Sequence, residues 1–305
     1  MKTSKIFRRL FSLLFNALFN NRLSFYFLGL LNKRFKILKT IYVGYSVDDG
    51  YAQEYSFPSE SFREKYKWSP FLAGFVFQNK KIGLKFFIAA NEDDFLDKSN
   101  KKNLLDFISK IDRIKELTHA GQKTFAGVLP GVLYMARIIR SMNETEVVVE
   151  SVCKAIEKVK EEEGYPTDSP VIILGGKGFI GKRVVRKLGS EQVYCVDKSG
   201  DDNFSDSWPS FLKNQKSILV NISRQFVLKN YIPHVWPSLV LLNEVYPEPS
   251  QQEILSYREK GGNVYHLAGV KGVAIPSFPK AYSGSIPCSA AYMNDQIDVV
   301  IKRLD

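Results

Sequence analysis

A glycine-rich segment, VIILGGKGFIGKRVVRKLG at residues 171–189, constrains the fold of this chain more than any other feature. Four apolar residues precede its glycines, an amphipathic run follows them, and Asp197 ends the next apolar stretch, QVYCVD at 192–197. A buried strand, a tight glycine turn, a helix and an acid roughly 20 residues further on are together the fingerprint of a dinucleotide-binding βαβ unit. The segment therefore predicts an α/β fold with a Rossmann-type parallel sheet.

The glycines of this turn have separate physical roles. The first permits a tight turn, the second lets the backbone approach a pyrophosphate, and the third lets the helix pack closely on the strand. Amides at the start of the helix would bind the phosphates. The predicted cofactor-binding residues of the turn are Gly176, Lys177, Gly178, Phe179, Ile180 and Gly181. The alternative is an ordinary strand-to-helix turn in a fold that holds no ligand.

The acid at the end of the second strand bears on the choice of cofactor. Asp197 would accept hydrogen bonds from both ribose hydroxyls, and a 2′-phosphate would meet its like charge. This favours NAD, but Lys198 could pair with the 2′-phosphate of NADP, so both cofactors stay open. Ser223 and Arg224 follow an apolar strand at the place where the nicotinamide side of the cofactor lies in such folds. They are further candidate contacts, with an ordinary polar loop as the alternative.

The chain divides into four parts by pattern. Residues 166–285 alternate short apolar strands with helices, which indicates a parallel sheet covered on both faces. Residues 37–165 combine a strand, a hairpin and two amphipathic helices, and they predict a smaller N-terminal α/β domain on the substrate side. Residues 1–36 form a basic, apolar helical leader, and residues 286–305 are expected to form a C-terminal helix.

The leader carries most of the formal net charge of +11, because residues 1–40 contain nine Lys and Arg residues and no Asp or Glu. Polar residues at 16, 20, 21 and 22 interrupt its apolar run before it reaches the ~20 residues needed to span a bilayer. Cations interleaved with Phe and Leu fit a helix lying on an anionic membrane surface. The alternative is that the leader packs as ordinary helices on the body of the protein.

Charge and cysteine usage exclude several classes of protein. Since the chain beyond the leader is nearly balanced in charge, we do not expect a nucleic-acid partner. The three cysteines lie far apart without a CxxC pair, which argues against a disulfide scaffold or a metal site and favours a reducing, cytoplasmic compartment. The chain has no HExxH, GxSxG or GxxxxGK[ST] motif, so it lacks the residues that a zincin, an α/β-hydrolase or a P-loop protein requires.

Six segments in sequence order resemble the NAD(P)-binding module of shikimate dehydrogenase and glutamyl-tRNA reductase. They are ELTHAGQKTFAGVLPGV, VVVESVCKAIEKV, VIILGGKGFIGKRVV, SILVNIS, LVLLNEVYPEP and NVYHLAGV. The layout over roughly residues 75–295 is most similar to the long-chain acyl-[acyl carrier protein] reductases. In that family an acyl thioester passes to a cysteine, and hydride from NADPH then releases an aldehyde. The chain departs from the shikimate type, because no clear Asn-Val-Thr-x-Pro-x-Lys motif is present.

The resemblance places Cys288, in IPCSAAYM, near the position of that cysteine. A helix that begins there would favour the nucleophilic thiolate, whereas a buried and inert thiol is the alternative. A second candidate pair is His119 and Lys123, whose spacing of four would place them on one helical face. Either could protonate a carbonyl oxygen as hydride arrives, or both could merely complement a helix C-terminus.

These features predict an NAD(P)-dependent oxidoreductase that acts on a carbonyl or acyl substrate, such as a fatty acyl thioester. The catalytic candidates are Cys288, His119 and Lys123. The alternative is a dinucleotide-binding sensor or scaffold protein without turnover, because the glycine turn specifies a ligand but not a reaction.

Overall fold

The computed structural model describes residues 5–46, 59–189, 191–197, 208–224, 227–292 and 296–305. Over these residues the chain has a mixed α/β fold with two mostly parallel sheets. It divides into a first unit, Met1–Val147 with Val270–Gln296, and a second unit, Val148–Gly269 with Ile297–Asp305. The division after Val147 differs from the expected boundary at residue 165, because most of the helix between these positions belongs to the second unit.

The order of helices and strands along the chain mostly agrees with the order that the sequence periodicity predicts. The helices are α1 (Lys5–Phe19), α2 (Arg22–Phe35), α3 (Glu60–Tyr66), α4 (Glu92–Leu96), α5 (Lys101–Thr118), α6 (Leu129–Met135), α7 (Asn143–Glu162), α8 (Phe179–Leu188) and α9 (Gln251–Glu259). The strands are β1 (Leu38–Tyr45), β2 (Phe71–Gln78), β3 (Lys81–Ile88), β4 (Gln122–Phe125), β5 (Val171–Leu174), β6 (Val193–Val196), β7 (Ser217–Asn221), β8 (Leu239–Asn243), β9 (Val264–Val270), β10 (Val273–Ile275) and β11 (Val299–Arg303). Among the described helices, none has both the length and the apolar character needed to cross a bilayer.

The first unit is built on a five-stranded sheet of order β10-β2-β3-β1-β4. β1 runs parallel to both β3 and β4, whereas β2 pairs with β3 and β10 in antiparallel fashion. The predicted hairpin is confirmed, because Asn79 and Lys80 connect the antiparallel strands β2 and β3. Their φ values of 46° and 65° are both positive, as required in a two-residue turn whose twist matches that of the strands. Apolar side chains of β1, β3 and α5 form its core, including Ile41, Val43, Phe86, Ile88, Phe107 and Ile111.

The second unit is built on a six-stranded sheet of order β11-β9-β8-β7-β5-β6. β6, β5, β7, β8 and β9 are parallel to one another, and β5, β7 and β8 are buried along their whole length. Such continuous apolar strands are typical of a sheet that is covered on both faces. The chain leaves β5 for β6 on one side and then crosses to β7 on the other side, so the direction of winding reverses between β5 and β7.

Two expectations about secondary structure were wrong. In place of a C-terminal helix over 286–305, the described residues form a three-residue 3₁₀ turn at Cys288–Ala290 and the strand β11. The β-branched residues of VVIKR pair better at a sheet edge than in a helix. The segment QKTF, whose Lys123 was expected on a helical face with His119, is the strand β4 beside β1. Its local pattern is too short to identify it as a strand without its neighbour.

Candidate functional site

The glycine turn follows β5 directly, and its backbone is packed too closely for side chains. Gly175 has a φ of +91° and continues the sheet, because its N–H donates to the Val196 carbonyl at 2.8 Å. The Gly178 N–H then closes the turn onto the Gly175 carbonyl at 2.9 Å. A Cβ atom at Gly181 would lie 2.1 Å from that same oxygen. The close contact of helix and strand that we predicted at the third glycine is therefore present.

The second strand supports the turn from the side. A Cβ atom at Gly176 would lie 2.9 Å from the Sγ of Cys195 on β6. Asp197, just after β6, accepts a hydrogen bond at 2.8 Å from the Lys177 N–H to its Oδ2 atom. The carboxylate thus orients the turn itself, a role that the sequence did not indicate. Lys198, the candidate partner of a 2′-phosphate, lies outside the described residues.

Helix α8 begins at Phe179, and its first turn is open to solvent. Gly178 is the N-cap residue and has no side chain with which to cap the helix, while Lys177, Gly178 and Phe179 are exposed. The first N–H groups of a helix have no partner within the helix and carry its positive dipole end. The guanidinium of Arg183 lies over the Phe179 ring at 3.9 Å and adds positive charge beside these amides. This end of the helix can therefore accept an anion.

A row of polar side chains crosses the sheet beside the turn, in an otherwise apolar interior. Asn221 and Asn243 are the last residues of β7 and β8 and pair in register, and Asn243 pairs in turn with His266 of β9. The Asn221 Nδ2 group donates to the Asn243 Oδ1 atom at 2.7 Å. Ser223, one of the predicted contacts, donates its hydroxyl to the Asn221 Oδ1 atom at 2.6 Å. Arg224 is exposed next to it.

The hydrogen bonds of this row fix the direction of each donor. The Asn243 amide nitrogen lies 2.7 Å from the Val245 carbonyl and 3.1 Å from the His266 Nδ1 atom, so it donates to both. His266 Nδ1 must then be an acceptor, which places the proton of the neutral ring on Nε2. Burial lowers the pKa of His266 to about 3 and keeps the ring neutral. The Nε2 atom is buried without a hydrogen-bond partner in the described part of the chain.

The hydrogen bonds of Ser223 determine what its hydroxyl offers to a ligand. Its single hydroxyl proton is held by the Asn221 Oδ1 atom, at a shorter distance than the 3.3 Å to the Arg224 carbonyl. The lone pairs of the hydroxyl are then free to accept a hydrogen bond. Ser223 therefore suits a ligand that presents an N–H or O–H donor. Sequence reasoning missed the amides of Asn221 and Asn243, although two strands that both end in Asn were a visible signal.

A carboxyl group that the sequence analysis also missed follows β8. Burial raises the pKa of the half-buried Glu244 to about 8, so this group is largely protonated at neutral pH. Its backbone N–H donates to the Asn221 carbonyl at 3.0 Å, which ties it to the end of β7. Since side chains alternate along a strand, Glu244 points to the face opposite Asn243. A protonated carboxyl at this edge can serve as a proton donor.

The predicted pair of His119 and Lys123 does not share a helical face. His119 is the C-cap of α5 in the left-handed conformation, with a φ of 50°, and Lys123 lies on the strand β4. The Lys123 ammonium forms an ion pair with Asp112 of α5. The helix ends at His119 because its carbonyl and that of Thr118 are held by the Asn32 side chain, at 2.8 and 3.1 Å. Chain spacing alone could not show this tertiary stop.

Cys288 opens a single 3₁₀ turn, so the helix N-terminus on which its activation was argued is only one turn long. The turn packs beside β1 and β4, where the Gln122 amide donates to the Ala291 carbonyl at 3.3 Å. Because neighbouring residues of a strand point to opposite faces, Gln122 and Lys123 lie on opposite sides of the sheet. The segment that carries Cys288 is thus on the face opposite Lys123. These catalytic candidates do not form one cluster.

On the same face as Gln122, β3 carries a buried lysine that the sequence analysis did not single out. Lys85 is 2% exposed, and its ammonium donates to the Pro276 carbonyl at 2.6 Å and lies 4.8 Å from the centre of the Phe278 ring. Burial, together with the charge of Arg8, lowers the pKa of Lys85 to about 7. Within the described residues, no group of His, Cys, Asp and Glu side chains is arranged to hold a metal ion.

Comparison with known proteins adds no further assignment. No model of a known protein family matches the chain, and no curated protein is significantly similar to it.

Proposed function

We propose that the second unit is a Rossmann-type domain that binds NAD or NADP, and that the protein is an NAD(P)-dependent oxidoreductase of a carbonyl or acyl substrate. The observation that carries the proposal is the glycine turn, in which a Cβ at Gly181 would lie 2.1 Å from the Gly175 carbonyl, while Gly178 and Phe179 at the start of α8 are exposed. Glycine at this position lets α8 begin close to the end of β5, so that the first amides of the helix can approach a pyrophosphate.

The strand order supports the same assignment. The order β6-β5-β7-β8-β9 corresponds to 2-1-4-5-6 of the doubly wound sheet, in which strand 3 has no counterpart among the described residues. In open parallel sheets, ligands bind beyond the carboxyl ends of the strands where the winding reverses. That place lies between β5 and β7, where a Cβ at Gly175 would come within 2.9 Å of the Ile222 carbonyl.

The residues present fit the parts of a dinucleotide. The amides at the start of α8 would bind the pyrophosphate, and Asp197 would bind ribose hydroxyls through Oδ1 while Oδ2 keeps its bond to Lys177. The Ser223 hydroxyl would accept a hydrogen bond from the carboxamide of the nicotinamide. When bound, the cofactor supplies or accepts hydride. The protonated Glu244 is then a candidate to give a proton to the substrate oxygen.

The proposal is tested first by binding. Fluorescence titration with NADH and NADPH is expected to show saturable binding by the full chain, with NADH tighter because Asp197 repels a 2′-phosphate. In Gly178→Ala the new Cβ would lie 3.0 Å from the Gly175 carbonyl, so binding should weaken, whereas Gly131→Ala, in open space, should bind as wild type does. Failure of both cofactors to bind would overturn the proposal, and tighter NADPH binding would overturn the argument for Asp197.

Turnover is tested separately from binding. Oxidation of NADH or NADPH should depend on one member of a panel of aldehydes, ketones and acyl thioesters, and Glu244→Gln should lower kcat for that substrate. The second candidate is a dinucleotide-binding sensor or scaffold. It is favoured by the ion pair of Lys123 with Asp112 and by the capping position of His119, which give both predicted residues structural roles. Binding without turnover across the panel would support this second candidate.

A further inference from the structure

The N-terminal helix α1 buries polar side chains and exposes apolar ones, the reverse of an ordinary surface helix, and α2 buries Asn32 beside Phe25 while it also exposes a set of apolar side chains. On α1 the buried side chains are Arg8, Ser12 and Asn16, spaced four residues apart and at most 8% exposed, and the half-buried Phe15 packs beside them on Phe75. The opposite face of α1 consists of Ile6, Phe7, Leu10, Leu14 and Leu18, each more than 50% exposed. Packing in the hydrophobic core does not explain these exposed apolar residues, because they point away from the core.

Buried hydrogen bonds fix α1 in this orientation. The Ser12 hydroxyl donates to the Ala73 carbonyl on β2 at 3.0 Å. Asn16 Oδ1 accepts a hydrogen bond at 2.9 Å from the Leu72 N–H, and its amide nitrogen donates to the Tyr66 hydroxyl at 2.9 Å. If the helix rotated to bury its leucines, these buried groups would lose their hydrogen-bond partners, which is destabilising. The apolar face is therefore held outward.

Helix α2 is anchored in the same manner. Its Asn32 side chain accepts from the Leu38 N–H at 2.8 Å and donates to carbonyls at the end of α5. A Cβ atom at Gly29 would lie 1.9 Å from the Leu117 carbonyl, so α2 lies closely against α5. Its exposed side includes Leu23, Tyr26, Phe27, Leu30, Leu31 and Phe35. We call these side chains and the outward residues of α1 together the apolar face.

The charged residues of α1 and α2 themselves all have one sign. The first acidic residue of the chain is Asp48, so both helices and the strand that follows them contain cations only. Arg22, Lys33, Arg34 and Lys36 are exposed around α2. A surface that is rich in apolar side chains, on helices whose own charged residues are all cations, is complementary to an interface that is apolar inside and anionic outside. A protein partner need not carry only acidic residues, so it would not require that the charged residues of both helices all be cations.

The dimensions of the helices agree with binding in the plane of a membrane. At 1.5 Å per residue, α1 and α2 are each about 21–23 Å long, short of the ~30 Å hydrocarbon core of a bilayer. We propose that the apolar face is a docking surface for an anionic lipid bilayer, with α1 and α2 lying at its interface and their polar sides bonded to the first unit. Membrane docking is independent of the proposed cofactor site, and either can hold without the other.

The experiment is co-sedimentation of the full chain with phosphatidylcholine vesicles, with and without phosphatidylglycerol. Wild type is expected to bind the vesicles that contain phosphatidylglycerol, and high salt should weaken this binding. The triple variant Leu10→Ser, Leu14→Ser and Leu23→Ser should lower the partition coefficient by roughly tenfold or more. Its matched control replaces three exposed leucines elsewhere, Leu96→Ser, Leu105→Ser and Leu255→Ser, and should bind as wild type does.

A second variant tests the charge requirement. Arg22→Gln, Lys33→Gln and Arg34→Gln together should remove most of the preference for phosphatidylglycerol. Circular dichroism of every variant should match that of wild type, because all the altered side chains are exposed. The proposal is overturned if wild type fails to bind either kind of vesicle, or if the two leucine variants bind alike. If light scattering shows that wild type is a dimer and the triple leucine variant is a monomer, and if wild type does not sediment with vesicles, then the apolar face serves self-association instead.

Discussion

The side-chain amide of Asn221 donates to the side-chain oxygen of Asn243 across 2.7 Å, at the ends of two neighbouring parallel strands. This bond is the middle link of a row of hydrogen bonds. Ser223 is bonded to Asn221 at one end of the row, and His266 is bonded to Asn243 at the other end. Each amide in the row both donates and accepts, so the orientation of one side chain depends on the next. Removing one member of a buried network of this kind leaves polar atoms of its neighbours without partners.

Breaking the row at Asn221 should reduce stability. Asn221→Leu conserves volume but leaves the Asn243 oxygen without its donor and the Ser223 hydroxyl without its acceptor. We expect the free energy of unfolding to fall by about 1–3 kcal/mol, measured by urea denaturation at neutral pH. The matched control is Asn230→Leu at an exposed position, which should change it little. Equal effects of the two variants would contradict the assigned hydrogen bonds.

Two glycine-to-alanine substitutions in helices should have opposite effects. In Gly181→Ala the added Cβ would lie 2.1 Å from the Gly175 carbonyl, so helix α8 must move away from the strand and stability should fall. In Gly131→Ala no atom lies within 4 Å of the new Cβ, and stability should rise by up to about 1 kcal/mol because Ala favours the helix. Thermal unfolding of both variants checks the pair. A stabilised Gly181→Ala protein would refute the close packing of the turn.

His266 should make the protein sensitive to acid. Its pKa is about 3 in the folded chain and near 6.5 when unfolded, so between these values the unfolded chain binds the additional proton. Stability should therefore fall as the pH drops from 6.5 toward 3, with a contribution of up to about 1.4 kcal/mol per pH unit. His266→Phe lacks this titration and should show a shallower dependence in urea denaturation. Identical slopes for the two proteins would show that the ring is not held neutral.

Lys85 should act at the opposite end of the pH scale. Its pKa is about 7 when folded and 10.5 when unfolded, so the unfolded chain binds the additional proton between these values. The contribution of Lys85 to stability should rise with pH from 7 to 10.5, again by up to about 1.4 kcal/mol per unit. In Lys85→Met this rise should be absent, which chemical denaturation at a series of pH values can measure. A variant that keeps the wild-type slope would contradict the burial of an ionisable amine.

Residue patterns identified the elements that depend on local order. The glycine turn, the alternation of short apolar strands with helices in the second unit, and a hairpin and amphipathic helices in the first unit were all predicted, and all are present. Each has a period or a turn residue that is visible over a short window. The strand β11 was not predicted, because five residues without an adjacent turn signal look alike in a helix or at a sheet edge.

The features of the candidate site also differ in whether the sequence or the tertiary structure determined them. The sequence by itself determined the glycine spacing and the acid at Asp197, because backbone sterics and chain length between two adjacent strands fix both. Only the tertiary structure decided the bond from Lys177 to Asp197, the row through Asn221, and the outward apolar face of α1 and α2. Each of these depends on partners that lie many residues away, and a hydrogen bond or a buried face exists only when the fold brings those partners together.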